Sequence, residues 1–201
     1  MKIVLFKKQI LALLCLGACL LSFQQEELKF IDKGIYKVWY SEAYKNPVKV
    51  VYSVYHYKDN PEVTRKGLNF YSEKGIKTAS SKDFASNDYD KGHLCPAETF
   101  SSSKESMKTT FSYVNCSVQY YELNRGVWEK LENQERKWSV QDSLIVTVEL
   151  AFDNPVKKLP TGASIPKTFK KSIHFYHAKK TEVFLFPNDV CKNPLESYRI
   201  N

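Results

Sequence analysis

The chain of 201 residues is poor in several features that would mark other protein classes. It has only 7 glycines and no glycine-rich phosphate-binding loop. None of its 5 cysteines are paired with the C-x-x-C spacing of many zinc sites, which argues against a metal held by cysteines. No repeat, low-complexity tract or Pro/Gly/Ser-rich linker divides it. After residue 23, no apolar stretch approaches the about 20 residues that a membrane-spanning helix needs.

The N-terminus has the pattern of an export signal. Three lysines and no acidic residue precede an apolar run over residues 10–23, which predicts a secretory signal peptide over residues 1–23. Residues 16–19, Leu-Gly-Ala-Cys, resemble a bacterial lipoprotein signal ending at a lipidated Cys19; ordinary cleavage near residue 22 is the alternative. Either way we expect an exported protein that is secreted, periplasmic or anchored to the outer surface by lipid.

Charge and cysteine content set weaker limits on the exported part. The formal net charge of the whole chain is +8, which suits a polyanionic substrate but equally fits a solvated basic surface. Export permits disulfides. Because the cysteines beyond the signal, Cys95, Cys116 and Cys191, are odd in number, at most one bridge can form among them.

Residue patterns predict strands, then helices, then strands. β-branched and aromatic residues predict strands over residues 48–57, 143–152, 172–176 and 182–186. Helices are predicted over residues 104–111, capped by the preceding serines, and over residues 123–138. The second carries one apolar stripe of Leu123, Val127, Leu131 and Trp138, and Trp128 and Leu131 are expected to be core residues. Residues 75–90 read as an extended surface loop. This order indicates an α+β fold.

One histidine stands out, in the segment Tyr-Asp-Lys-Gly-His-Leu-Cys-Pro-Ala-Glu over residues 89–98. A histidine that ionises near neutral pH can act as a general base, and a neutral Asn amide oxygen can hold a hard divalent cation. His93, with Asn124 and Glu132 downstream, therefore suggests metal-assisted phosphodiester hydrolysis. A lone histidine is more often a buried structural residue, and the matched downstream segment favours the catalytic interpretation.

Asp90-Lys91-Gly92-His93, followed by the segment Asn124 to Glu132, resembles the DNA/RNA non-specific endonuclease family of ββα-metal (His-Me finger) nucleases. That family's signature is D-R-G-H followed by N-x-G-x-W-x-x-L-E, and the likeness covers about residues 47–188. It implies one α+β domain over residues 24–201, with a central antiparallel sheet, helices and a ββα-metal active-site motif. It also implies an Mg²⁺-dependent or Mn²⁺-dependent endonuclease that hydrolyses DNA and RNA and leaves 5′-phosphate ends.

The resemblance assigns catalytic roles residue by residue. His93 is the general base that takes a proton from the attacking water. Asn124 is the protein ligand of the cation, and one such ligand can suffice because Mg²⁺ keeps several waters. Glu132 orients water of the cation's shell, and Asn115 belongs to the catalytic set by helping to position the site.

Substrate contacts are assigned in the same way. Lys91, which the resemblance places in the catalytic set as well, stands where the family usually has Arg, so it offers charge to a phosphate without the planar bidentate fork. Arg65 matches a phosphate-contacting Arg. Asp90 is expected to hold a loop by hydrogen bonds and not to bind the metal. Lys170 and Lys171 are expected to face solvent, as scattered basic residues usually do.

Two other functions remain open. A catalytically silent surface protein of the same fold could bind nucleic acid or another polyanion, and a phosphodiesterase on this scaffold could act on small substrates. DNA and RNA are the expected partners. No protein partner is implied, and membrane contact is expected only through a lipid on Cys19.

Overall fold

The computed structural model describes residues 27–55 and 63–200, so the predicted signal peptide and Cys19 lie outside the described residues. Within them, the chain forms eight strands in two sheets. The strands are β1 (Lys29–Asp32), β2 (Tyr36–Ser41), β3 (Asn46–Val54), β4 (Tyr89–His93), β5 (Cys116–Tyr120), β6 (Leu144–Ala151), β7 (Thr168–Phe175) and β8 (Lys180–Pro187).

The larger sheet has six strands in the order β1-β2-β3-β6-β7-β8, and every neighbouring pair is antiparallel. Buried and exposed residues alternate along its longer strands because successive side chains point to opposite faces. The predicted strands correspond to β3, β6, β7 and β8, whereas β1, β2, β4 and β5 were not predicted as strands. The predicted central antiparallel sheet is confirmed.

The helices are α1 (Lys104–Thr110), α2 (Tyr121–Leu123) and α3 (Glu129–Ser139). The α1 helix begins as predicted, because the side chain of Ser103 accepts a hydrogen bond from the Ser106 backbone N–H at 3.0 Å. Four short 3₁₀ helices accompany them in the described chain: Ser81–Phe84, Glu98–Phe100, Tyr113–Asn115 and Leu195–Tyr198. The first of these interrupts the predicted surface loop.

The second predicted helix is not continuous. A π-helical segment, Asn124–Trp128, separates α2 from α3, and Gly126 within it leaves helical geometry with φ −109° and ψ −112°. The short helix α2 thus begins before the predicted start at residue 123, and regular α-helix resumes only at Glu129. The apolar stripe predicted the helical period correctly, but it did not predict the π-helical turn, which contains one more residue than a regular turn.

The apolar face of the π-helical segment and α3 packs on the inner face of the large sheet. Trp128 and Leu131 are fully buried, as predicted. The Trp128 ring meets Phe169 of β7 and Phe186 of β8 edge-on, with centroid distances of 5.6 and 5.8 Å. These ring contacts position the N-terminal end of α3 on the sheet.

The small sheet pairs β4 with β5, and His93 lies opposite Cys116. Because β5 leads directly into α2, the two strands and the following helical region form the expected ββα unit. Gly92 is required by packing: a Cβ at this position would lie 2.6 Å from the Cβ of Gln119 on β5. The glycine of the Asp-Lys-Gly-His motif therefore leaves the space that the Gln119 side chain occupies.

Cys95, Cys116 and Cys191 are all buried and carry free thiols. Burial raises the pKa of the Cys95 and Cys116 thiols well above the usual range. Among the described residues, no helix combines the length and apolar character needed to span a membrane.

Candidate active site

The ββα unit borders a cavity of about 1070 Å³. Of the six residues that the sequence assigned to the site, five line this cavity: Arg65, Lys91, His93, Asn124 and Glu132. Further charged residues at the cavity are Glu98, Arg125, Glu129, Lys130, Arg136 and Lys137. Basic side chains outnumber acidic ones around it, so the cavity suits an anionic ligand.

His93 is held between two aromatic rings at the end of β4. Its ring centroid lies 4.6 Å from that of Phe70 and 4.7 Å from that of Phe111. Nε2 is buried and has no hydrogen-bond partner among the described residues. Burial, and then the positive charge of Arg65, lower the pKa of His93 to about 3. The imidazole is therefore neutral at neutral pH and able to accept a proton.

Asn115 is fully buried and stands behind the cavity. Its Oδ1 accepts from the Cys95 backbone N–H at 2.8 Å, while Nδ2 donates to the carbonyl oxygens of Cys95 and Thr110 at 2.8 and 2.9 Å. The Leu94 N–H also donates to the Asn115 carbonyl at 3.0 Å. One amide side chain thus fixes the backbone that follows His93, and it acts through that backbone without reaching the cavity.

Asn124 opens the π-helical segment at the cavity wall. Its Nδ2 donates to Asp90 Oδ2 at 2.9 Å. No hydrogen bond reaches its Oδ1 within the described chain, so the oxygen is free to bind a cation. The two strands and the π-helical segment therefore bring His93 and an available amide oxygen to the same cavity.

Glu132 lies in the first turn of α3 and lines the cavity. Burial raises the pKa of its carboxyl to about 7, and neighbouring Lys171 opposes this shift. Glu135 raises the pKa further by its like charge, whereas Arg136 lowers it. A bound cation beside the carboxyl would favour its ionised form.

Lys171 corrects the expectation that scattered lysines face solvent. Its side chain is fully buried, with Nζ 2.9 Å from Glu135 Oε1 and 4.0 Å above the centre of the Trp128 ring. Glu135 Oε2 also accepts from the Tyr52 hydroxyl at 2.7 Å. The sequence did contain a signal, since Lys171 lies two residues from Phe169 and from Ile173 and therefore shares their buried face of β7.

The donor groups fit a hard divalent cation. In the described part of the chain, no three His, Cys, Asp or Glu side chains gather into a metal-binding group. Mg²⁺ commonly takes one or two protein oxygens and keeps several waters. Asn124 Oδ1, which accepts no hydrogen bond within the described chain, would be such an oxygen, and Glu132 lines the same basic cavity.

The fold matches a chain from the crystal structure of the EndoG/EndoGI complex, a study of the mechanism of EndoG inhibition. The TM-score is 0.76 at 18% sequence identity, and the match covers 86% of this chain and 80% of that chain. At this identity the likeness establishes the fold.

Sequence relatives include proteins named "Nuclease EXOG, mitochondrial". The one from Danio rerio is 34% identical over 74 residues, which is 35% of this chain and 22% of the relative. The one from Xenopus laevis is 29% identical over 96 residues, which is 46% of this chain and 27% of the relative. The matched regions thus span about a quarter of these relatives' length.

The family model described as DNA/RNA non-specific endonuclease matches residues 21–201. Because this match covers nearly the whole chain, the protein belongs to the DNA/RNA non-specific endonuclease family. The predicted resemblance and the predicted α+β fold are both confirmed.

Proposed function

We propose that the protein is an endonuclease that depends on a divalent cation and hydrolyses phosphodiester bonds of DNA and RNA, leaving 5′-phosphate ends. The observation that carries this proposal is the meeting of His93, Asn124 and Glu132 at one cavity that Arg65 and Lys91 make basic. Family membership supports the same reaction class.

His93 is the general base in this mechanism. Its neutral imidazole takes a proton from the water that attacks phosphorus. The positive charge of Arg65 lowers the pKa of His93. A substrate phosphate bound to Arg65 offsets that charge, so substrate binding strengthens the base where it is needed.

Asn124 is the proposed ligand of the cation, and Glu132 is the residue proposed to orient water. Asn124 would hold Mg²⁺ or Mn²⁺ through Oδ1, and Glu132 would orient water at the cavity by accepting a hydrogen bond from it. When bound, the cation supplies positive charge that stabilises the transition state and the leaving 3′ oxygen.

Arg65 and Lys91 bind the substrate's phosphates. Both line the cavity with His93. Lys91 contributes a point charge where an arginine would bind a phosphate with two parallel hydrogen bonds. We therefore expect Lys91→Arg to lower KM for nucleic acid.

Export of residues 24–201 after removal of residues 1–23 is also part of the proposal, on the strength of the lysine-rich apolar N-terminus. Mass spectrometry of the protein from its native cells would give the mature N-terminus. A mass beginning at residue 1 would overturn export by this signal, and a lipid on Cys19 would establish the anchored form.

The decisive experiment incubates the mature protein with plasmid DNA and with RNA, in Mg²⁺ and in EDTA. We expect degradation of both that EDTA abolishes, and a loss of about 10²-fold to 10⁴-fold in His93→Ala. His174→Ala is the matched control, because His174 lies on β7 and bonds Thr181, away from the cavity. Intact nucleic acid that shifts on a gel would instead identify the silent binding protein.

A further inference from the structure

Arg125 and Asp90 form a bidentate ion pair beside Asn124. Arg125 Nε lies 2.8 Å from Asp90 Oδ2, and Arg125 Nη2 lies 2.6 Å from Asp90 Oδ1. The same Oδ2 accepts the hydrogen bond from Asn124 Nδ2 at 2.9 Å. The guanidinium also rests 5.6 Å from the centre of the Tyr121 ring. The Arg125–Asp90 pair, called the clamp below, thus holds one end of the Asn124 amide.

The clamp decides which end of the amide faces the cavity. An ionised carboxylate only accepts hydrogen bonds, so the end of Asn124 that meets Asp90 must be the NH₂ group. The opposite end is the carbonyl oxygen, which is the only atom of the amide that can bind a hard cation. Arg125 donates to both carboxylate oxygens of Asp90, which holds the carboxylate in this orientation.

Asn124 lies in an irregular part of the helix, so regular helical geometry does not fix its position. Asn124 begins the π-helical segment, and Gly126 departs from helical geometry two residues later. Asp90 belongs to β4, the strand that ends at His93. The clamp therefore ties the irregular turn that carries Asn124 to the strand that carries His93, across a sequence separation of 34 residues.

We propose that Arg125, acting through Asp90, is a positioning residue that presents the Asn124 carbonyl oxygen to a divalent cation. This inference rests on the proposed function, since it assigns Asn124 as the cation's ligand. It differs from a direct substrate role for Arg125, because its effect is on metal affinity in the absence of nucleic acid.

The test measures Mn²⁺ affinity of the nucleic-acid-free mature protein by calorimetry, for the wild type and Arg125→Gln. Removing a positive charge near a cation site should strengthen cation binding if only Coulomb forces act. The clamp predicts the opposite sign, a weakening of about tenfold or more, as seen when residues that orient metal ligands are lost. The Arg125 side chain is 67% exposed, so the variant is expected to fold.

Lys130→Gln is the matched control, because Lys130 also lines the cavity and its loss removes the same charge without touching the clamp. We expect its Mn²⁺ affinity to stay level or rise. Unchanged or tighter binding in Arg125→Gln would overturn the clamp while leaving the proposed nuclease intact. Equal weakening in both variants would also overturn it. A wild type that binds no Mn²⁺ would overturn the cation site and the clamp together.

Discussion

Lys171 and Glu135 form an ion pair of 2.9 Å in which both side chains are 0% exposed, and both act electrostatically on Glu132 of the candidate active site. Glu135 belongs to α3, three residues after Glu132, and Lys171 belongs to β7, which lies between β6 and β8 in the large sheet. The pair therefore ties the helix that carries Glu132 to the sheet. Removing one partner would leave a buried charge unpaired, which lowers the stability of the fold more than removing both partners does.

Lys171→Met should lower the free energy of unfolding by about 3–5 kcal/mol, because Glu135 would keep a buried and unpaired charge. The double variant Lys171→Met/Glu135→Gln should recover most of this loss. Lys170→Met is the control: Lys170 pairs with Glu149 at the surface, at 3.3 Å, and should cost no more than about 1 kcal/mol. Urea unfolding measures all three, and a double variant as unstable as the single one would contradict the prediction.

Asn115→Ala should lower both stability and kcat. It removes hydrogen bonds to the Cys95 and Thr110 backbone, and we expect a loss of about 1–3 kcal/mol from the polar groups left buried. Asn115→Asp should be as damaging, since a carboxylate cannot donate to the two carbonyl oxygens. Asn87→Ala, an exposed amide on the loop before β4, serves as control. Chemical denaturation and activity assays measure the two effects. An Asn115→Asp variant as stable and as active as the wild type would contradict this role.

Arg65→Gln should raise the pKa of His93 from about 3, because the positive charge beside the imidazole is removed. The pKa should stay below about 6.5, since burial is the larger cause and remains. A depressed folded pKa also means that the unfolded chain binds the proton first. The contribution of His93 therefore lowers stability as pH falls from about 6.5 toward 3. An NMR titration of the His93 ring checks the shift, and an unchanged pKa in Arg65→Gln would refute the coupling.

Gly92→Ala should destabilise the small sheet by about 1–3 kcal/mol, the usual cost of overpacking. The new methyl would lie 2.6 Å from the Gln119 Cβ, so Gln119→Ala cannot relieve the clash while Gln119→Gly can. Thermal unfolding of the two double variants tests this. Recovery with Gln119→Ala would mean that the long Gln119 side chain, and not the close approach of the strands, imposes the glycine.

Four of the six strands of the large sheet were predictable from sequence, because their β-branched and aromatic residues leave few other conformations. The strands β1 and β2 were missed, and so were the short β4 and β5 of the ββα unit. Residues such as Tyr89 to His93 are polar and glycine-containing, and they pair because β5 lies opposite them. Short strands of this composition depend on tertiary partners more than on local propensity.

Sequence alone determined the family and four residues of the cavity, Lys91, His93, Asn124 and Glu132, because the two motifs keep residue types and spacing that their chemistry requires. The tertiary structure decided the rest. Whether Lys171 is buried depends on a partner 36 residues away, and which end of the Asn124 amide faces the cavity depends on Asp90, 34 residues away. Hydrogen bonds and ion pairs between distant residues form only once the backbone has brought them together, so they leave no local pattern in the chain.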